Sequence, residues 1–188
     1  HSGLCAAGAD ESQRIMSLII LDRVATVFGK AANQALALSR DGGDVASIRE
    51  KTGATVALAE TSLEISTAEV FMIMGLSGSG KSTLLRLINR LIEPTSGSVS
   101  VDGCNMGDLS PSGLRKLRRE RLAMVFQGFG LLPHRTVSDN VAFGLEVQGV
   151  SRDDRHVIAQ NWISRVGLDG FTAAFPHELS GGMRQRVG

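Results

Sequence analysis

The sequence predicts an α/β fold built around a phosphate-binding loop, and three adjoining observations carry that expectation. The apolar run Glu69-Val70-Phe71-Met72-Ile73-Met74 has the length and composition of a buried strand. The next residues, Gly75-Leu76-Ser77-Gly78-Ser79-Gly80-Lys81-Ser82, fit the pattern G-x-x-x-x-G-K-[ST]. Beyond them Leu84, Leu85, Leu87, Ile88, Leu91 and Ile92 recur at helical spacing. In a strand, loop, helix order the glycines let backbone N–H groups turn inward around a phosphate, and the helix adds the positive end of its dipole. Lys81 is expected to reach the β and γ phosphates, and the Ser82 hydroxyl to hold Mg²⁺.

The whole chain sets bounds on this reading. Its 188 residues suffice for one domain with a real core, or for most of a larger one. Lys and Arg number 20 against 19 Asp and Glu, so no global field points to nucleic acid or an anionic membrane. No apolar run approaches the ~20 residues of a membrane-spanning helix. Cys5 and Cys104 lie far apart in unrelated contexts and suggest neither a disulfide framework nor a metal pattern. The first fifteen positions show no clear periodicity and are set aside as an unassigned extension.

In chain order, Leu18 to Phe28 reads as a half-exposed strand near an edge, ended by Gly29. Ala31 to Leu38 and Val45 to Lys51 read as two short helices separated by Asp41-Gly42-Gly43 and stopped by Gly53, an inserted pair over about residues 30–53. Thr55 to Ile65 returns to β-type residues, with Val56, Leu58, Leu63 and Ile65 as inward candidates. After the first long helix, Pro94 to Gly97 is a turn and Ser98 to Val101 a strand closed by Asp102-Gly103. Ser110 caps a helix with Pro111 at its first position, and the Arg115, Lys116, Arg118, Arg119 run is a solvated face rather than a nucleic-acid patch. Leu122 to Phe126 is a second fully apolar run of the buried-strand type, ending at Gln127. Thr136 or Ser138 caps the next helix, and Ser151 another whose apolar stripe is Val157, Ile158, Trp162, Ile163 and Val166, with Trp162 read as core.

Ser180-Gly181-Gly182 before a helix-forming run repeats the logic of the opening motif: a hydroxyl, flexible N–H groups and a helix N-terminus. One nucleotide does not need two such cradles from one copy of the chain. Together, Gly75 to Ser82, Gln127 after Met124-Val125-Phe126, and Leu179 to Gln185 resemble the P-loop, Q-loop and signature motif of the ATP-binding subunits of ABC transporters. The resemblance runs from about Ser17 to the last residue. Ile73 to Ser82, Asn89 to Thr95, Leu132-Pro133-His134, Glu178 to Gly188 and the insertion ending Glu50-Lys51-Thr52-Gly53 are similar to importers of glycine betaine, proline and related quaternary amines.

That resemblance implies a fold with a mostly parallel sheet core, an antiparallel β subdomain and a helical subdomain over about residues 128–188. It implies that Gly75 through Ser82 and Thr83 cradle the phosphates of ATP, that Lys81 and Gln127 serve hydrolysis, and that Ser82 and Gln127 meet Mg²⁺. Phe28 would stack on adenine, and Ser180, Gly181 and Gly182 would bind the γ-phosphate held by a second copy in a two-fold dimer. His134 is similar to the family's loop histidine and is assigned no catalysis. Transmembrane permease subunits, indirectly a substrate-binding protein, and a peripheral position on the cytoplasmic face of the membrane follow in the same way.

In that family an acidic strand, its glutamate and a switch histidine lie beyond the signature helix, and this chain stops at Gly188 before them. The expectation is a natural protein that hydrolyses ATP and a fragment that does not and is poorly stable alone. Two alternatives stand beside transport: a soluble ATPase of the same type acting on DNA or a protein complex, and a non-hydrolysing nucleotide-binding fragment. The absence of a heptad run weighs against the first, because such clamps separate their two motifs with a coiled coil.

Overall fold

The computed structural model describes residues 17–126 and 128–188. It divides between Arg115 and Lys116 into two compact units, the boundary falling inside a helix.

The first unit opens with the long strand β1 (Ser17–Phe28). The helices α1 (Ala32–Arg40) and α2 (Val45–Thr52) follow as the sequence predicts, the second capped by the Asp44 side chain, which accepts from the amides of Ala46 and Ser47. Gly53 closes α2 in the left-handed conformation at φ 66°. β2 (Thr55–Ser66) then runs back along β1 in antiparallel register, from Phe28↔Thr55 to Ser17↔Ser66. Next come α3 (Lys81–Ile88), β3 (Ser96–Val101) and the two-residue β4 (Cys104–Asn105). The sheet order is β2-β1-β3-β4, antiparallel throughout.

β1 is therefore an interior strand, not the edge strand that its polar residues suggest. Leu21, Val24, Ala25 and Val27 are buried, while Asp22 and Arg23 sit at a register shift where β1 bends between its two partners. Ala25 and Val27 pack with Ala35 and Leu36 of α1, Ile48 of α2 and Ala54. The inserted helices thus cover one side of the sheet with the small and branched residues that fit closely against it.

Two predicted strands do not form. Glu69 to Met74 and Leu122 to Phe126 are irregular, with Val70 91%, Met74 81% and Val125 78% exposed. The parallel core expected from them is absent among the described residues. An apolar run records a preference for burial, but a strand needs a neighbour to pair with, and every ladder present here is antiparallel.

α4 (Pro111–Arg121) spans the boundary, with Ser110 Oγ accepting from the Gly113 amide at 3.2 Å. The second unit continues with α5 (Val137–Val147), α6 (Arg152–Arg165) and α7 (Gly181–Val187). Thr136 caps α5 and Ser151 caps α6, each hydroxyl accepting an amide three residues on. Val137, Ile163, Leu168 and Leu179 form the buried centre, flanked by Val141, Val166, Met183 and Val187. Trp162 is 52% exposed rather than core. The buried strip of α6 is narrower than its apolar content, consisting of Ala159 and Ile163. Trp162 flanks that strip, and its ring is taken by the Arg165 guanidinium, 4.4 Å from the centroid.

Candidate functional site

The loop Gly75 to Gly80 lies exposed ahead of α3 and is closed by a turn, Ser79 N–H donating to the Leu76 carbonyl at 3.2 Å. Lys81 holds it from inside. Its ammonium donates to the carbonyls of Gly75 at 2.8 Å and Leu76 at 2.6 Å, with Ser79 Oγ at 3.4 Å. The lysine charge is thus fixed at the centre of the loop rather than swinging in solvent. Gly80 takes φ +90°, and a Cβ there would stand 2.7 Å from the Ala57 carbonyl oxygen, so only glycine lets the loop close onto β2 and start the helix.

α3 begins on that glycine with no side-chain cap. The helices α2, α5, α6 and α7 each satisfy a first-turn amide with their own Asp, Thr or Ser. The first-turn amides of α3, at Lys81, Ser82 and Thr83, keep their donors for something else. An uncapped helix N-terminus, a fixed ammonium and a flexible Gly/Ser loop together suit an anion with several oxygens. Ser82 is exposed on the first turn and offers one hydroxyl oxygen. Mg²⁺ binds through one or two protein oxygens and takes the rest from water and phosphate. That donor fits a cation arriving with a nucleotide. Among the described residues no cluster of three or more His, Cys, Asp or Glu could hold a resident metal ion.

Phe28 ends β1 with its side chain 50% exposed and its backbone paired with Thr55. Gly80 abuts Ala57 and Leu58. The aromatic side chain and the close of the phosphate loop are therefore brought to the same Thr55–Leu58 end of β2. Gln127 lies outside the described residues.

The second predicted cradle belongs to the second unit. Ser180 caps α7, its Oγ accepting from the Met183 amide at 3.3 Å. Leu179 is buried, while Ser180, Gly181 and Gly182 are exposed with open space where Cβ atoms would lie on the two glycines. Leu179 anchors the turn, and the two glycines leave its backbone accessible.

Sequence reasoning missed the scaffolding of residues 131–136. Asn140, on the first turns of α5, accepts from Leu132 N–H at 2.8 Å, and its Nδ2 shares its two hydrogens among the carbonyls of Leu132, Arg135 and Thr136 at 3.1, 3.0 and 2.9 Å. Arg135 pairs with Glu146, which Arg155 also approaches at 3.5 Å. An asparagine inside a helix gives no sign of such a network in the sequence. His134 is exposed at the tip of this held loop.

A family model described as ABC transporter matches residues 58–188. The chain belongs to the ABC transporter family. It is 46% identical over 173 residues to the glycine betaine/carnitine transport ATP-binding protein GbuA of Listeria monocytogenes, covering 92% of this chain and 44% of that one. It is 48% identical over 162 residues to the glycine betaine/proline betaine transport system ATP-binding protein ProV of Escherichia coli, covering 86% and 40%. A trimethylamine N-oxide transport ATP-binding protein, TmoW of Ruegeria pomeroyi, is 50% identical over 162 residues, with 86% and 47% covered. The chain thus spans less than half the length of these relatives. Among solved structures, the ATP-binding cassette MJ0796, a dimer in a post-hydrolysis state bound to ADP and Pi, superposes with a TM-score of 0.72 at 32% identity. That match covers 90% of this chain and 66% of the other. The fold is that of the ABC ATPases, with the antiparallel and helical parts described above.

Proposed function

We propose that this chain is ATP-binding machinery of an ABC importer, coupling ATP binding and hydrolysis to uptake of glycine betaine, proline or a related osmolyte. The observation that carries the reading is the Lys81 ammonium fixed inside an uncapped Gly/Ser loop at the start of α3. Betaine transport follows from what the relatives are named for, over nearly all of this chain.

In this reading the amides of Gly75 to Thr83 bind the nucleotide phosphates, with Lys81 placing its charge where the β and γ oxygens lie. Ser82 supplies one oxygen to Mg²⁺, which neutralises charge on the transferring phosphoryl group. Phe28 offers its exposed face to the adenine. Ser180, Gly181 and Gly182 face the γ-phosphate held by a second copy of the chain, so that each nucleotide is enclosed by two different cradles. Gln127 meets the metal or the attacking water. Turnover is coupled to permease subunits in the membrane, and through them to a substrate-binding protein, from the cytoplasmic face. No helix among the described residues is long and apolar enough to cross a membrane, in keeping with a peripheral subunit.

The test has two arms. The protein expressed from its complete gene is titrated with a fluorescent ATP analogue, and the same gene, with its neighbouring permease genes, is assayed for uptake of labelled glycine betaine after osmotic upshift. Binding lost in Lys81→Ala together with uptake lost in that strain is the expected result. Binding that survives the substitution, or uptake unaffected by it, refutes the reading.

A further inference from the structure

The segment from Phe129 to Thr136 is held at both ends by side chains other than those read as phosphate-binding, Arg184 of α7 at its start and Asn140 of α5 at its far end. At its start Phe129 has φ +67°, a left-handed conformation that bulky residues rarely adopt, and Gly130 follows at φ +65°. Such a backbone persists only where its surroundings over-determine it. Here the surroundings are α7. The Arg184 guanidinium lies 5.9 Å from the Phe129 ring centroid. Its Nε is buried and has no hydrogen-bond partner among the described residues. The Phe129 carbonyl approaches Gly188 so closely that a Cβ there would stand 2.6 Å from the oxygen. A buried guanidinium nitrogen without an acceptor is costly, and the π face is the compensation on offer. Arg184, half-buried as a whole, thus turns its buried Nε and its guanidinium toward the loop. At the far end, the side-chain amide of Asn140 fastens Leu132, Arg135 and Thr136 to α5, its oxygen accepting from Leu132 N–H and its two amide hydrogens shared among the three carbonyls.

We infer that Arg184 and Asn140 are positioning residues. They hold the loop following Gln127 so that it and the helix led by Ser180, Gly181 and Gly182 move as one body. The inference rests on the reading of those motifs as parts of an ATP site. Neither side chain touches nucleotide in it. Their effect belongs to the step at which both motifs must be in register, while capture of ATP by the Lys81 loop does not pass through this contact.

The experiment uses protein from the complete gene, comparing Arg184→Met, Arg184→Lys, Phe129→Leu and the double variant Phe129→Leu/Arg184→Met. Expected are a turnover loss of about 10-fold to about 100-fold in Arg184→Met with nucleotide affinity unchanged, partial recovery in Arg184→Lys, and a double variant no worse than the worse single one. Amide hydrogen exchange should quicken at residues 128–131 in Arg184→Met, while α5 and α6 exchange as in the wild type. Turnover within about twofold of wild type, effects of the two sites that multiply independently, or a parallel loss of affinity overturns the inference. If the wild-type protein shows no Mg-dependent turnover, the ATPase reading fails instead. Exchange then decides the contact alone, unchanged protection at 128–131 meaning that Arg184 holds nothing.

Discussion

Arg135 and Glu146 meet fork to fork, Nη1 to Oε2 at 2.9 Å and Nη2 to Oε1 at 3.3 Å, so that the loop before α5 is tied to the last turn of that helix. The hydrogen bonds from Arg135 hold the Glu146 carboxyl below its ordinary value of 4.5, and the charges of Arg135 and Arg155 act in the same direction. A carboxylate whose folded pKa is depressed contributes stability above its unfolded pKa and loses it as pH falls through the folded one. Wild type should therefore melt above Glu146→Gln at neutral pH, and the gap should close as pH falls below 4.5. The side chains keep 27% and 37% exposure, so the gap is small and shrinks in high salt. Thermal melts from neutral to acid pH check this; a gap independent of pH would sink it.

Gly97 packs directly against the backbone of β1. It sits opposite the bend of β1, at φ +80°, where a Cβ would lie 2.3 Å from the Arg23 carbonyl oxygen. Neither strand can yield without breaking the ladder. Gly97→Ala should cost about 2 to 4 kcal/mol of stability, read as a lower denaturation midpoint, whereas Gly103→Ala, where a Cβ meets open space, should cost only the left-handed strain of about 1 kcal/mol. Equal losses at the two glycines would contradict the close approach.

Lys81→Ala and Phe28→Ala separate the two ends of the proposed nucleotide. Removing the ammonium takes away both a phosphate partner and the tie across Gly75 and Leu76. ATP binding should fall by about 100-fold or more. Phe28→Ala should weaken ATP by about 3-fold to about 10-fold and leave inorganic triphosphate binding unchanged. Competition titrations with triphosphate distinguish them, and an equal effect of Phe28→Ala on both ligands would remove the stacking role.

Ser180→Arg fills the open backbone at the start of α7 without touching the P-loop unit's own contacts. In protein from the complete gene it should leave ATP affinity nearly intact while hydrolysis drops by about 100-fold or more. Mixed dimers with a Lys81→Ala copy would keep one working site if the cradles act across two copies. Loss of binding together with hydrolysis would place Ser180 in the same site as Lys81 within one copy.

Local signals were read reliably from the residues. Pro111 behind Ser110, Thr136 and Ser151 announce helices because a capping oxygen acts within one turn, and Gly53 stops α2 because the left-handed cap needs no distant partner. The turn from Gly75 to Gly80 and the helix start at Lys81 are legible for the same reason, their spacing being set by a few adjacent backbone groups. What depended on partners far along the chain was not. Val70 to Met74 and Leu122 to Phe126 have strand composition, but composition does not supply a neighbouring strand. β1 looked like an edge because Asp22 and Arg23 interrupt its apolar alternation, yet those residues mark a bend between two partners. Trp162 shares its stripe with Ile163, and only packing decides which of the two is covered. Asn140 and Arg184 gave no warning, since their work lies in contacts with a loop that has no periodicity.

The chain leaves β1 at Gly29 and re-enters β2 at Ala54 with the two backbones touching, a Cβ on Gly29 being 2.9 Å from the Ala54 Cα. Residues 30–53 are thus a closed detour whose ends are already joined, so their number hardly alters the cost of pairing the two strands. Nothing in the strand register measures the detour's length. A foreign sequence could be spliced at the Asp41-Gly42 corner, where a Cβ on Gly42 meets open space, and the sheet would still align Phe28 with Thr55. That corner is a natural place for a reporter or a tether.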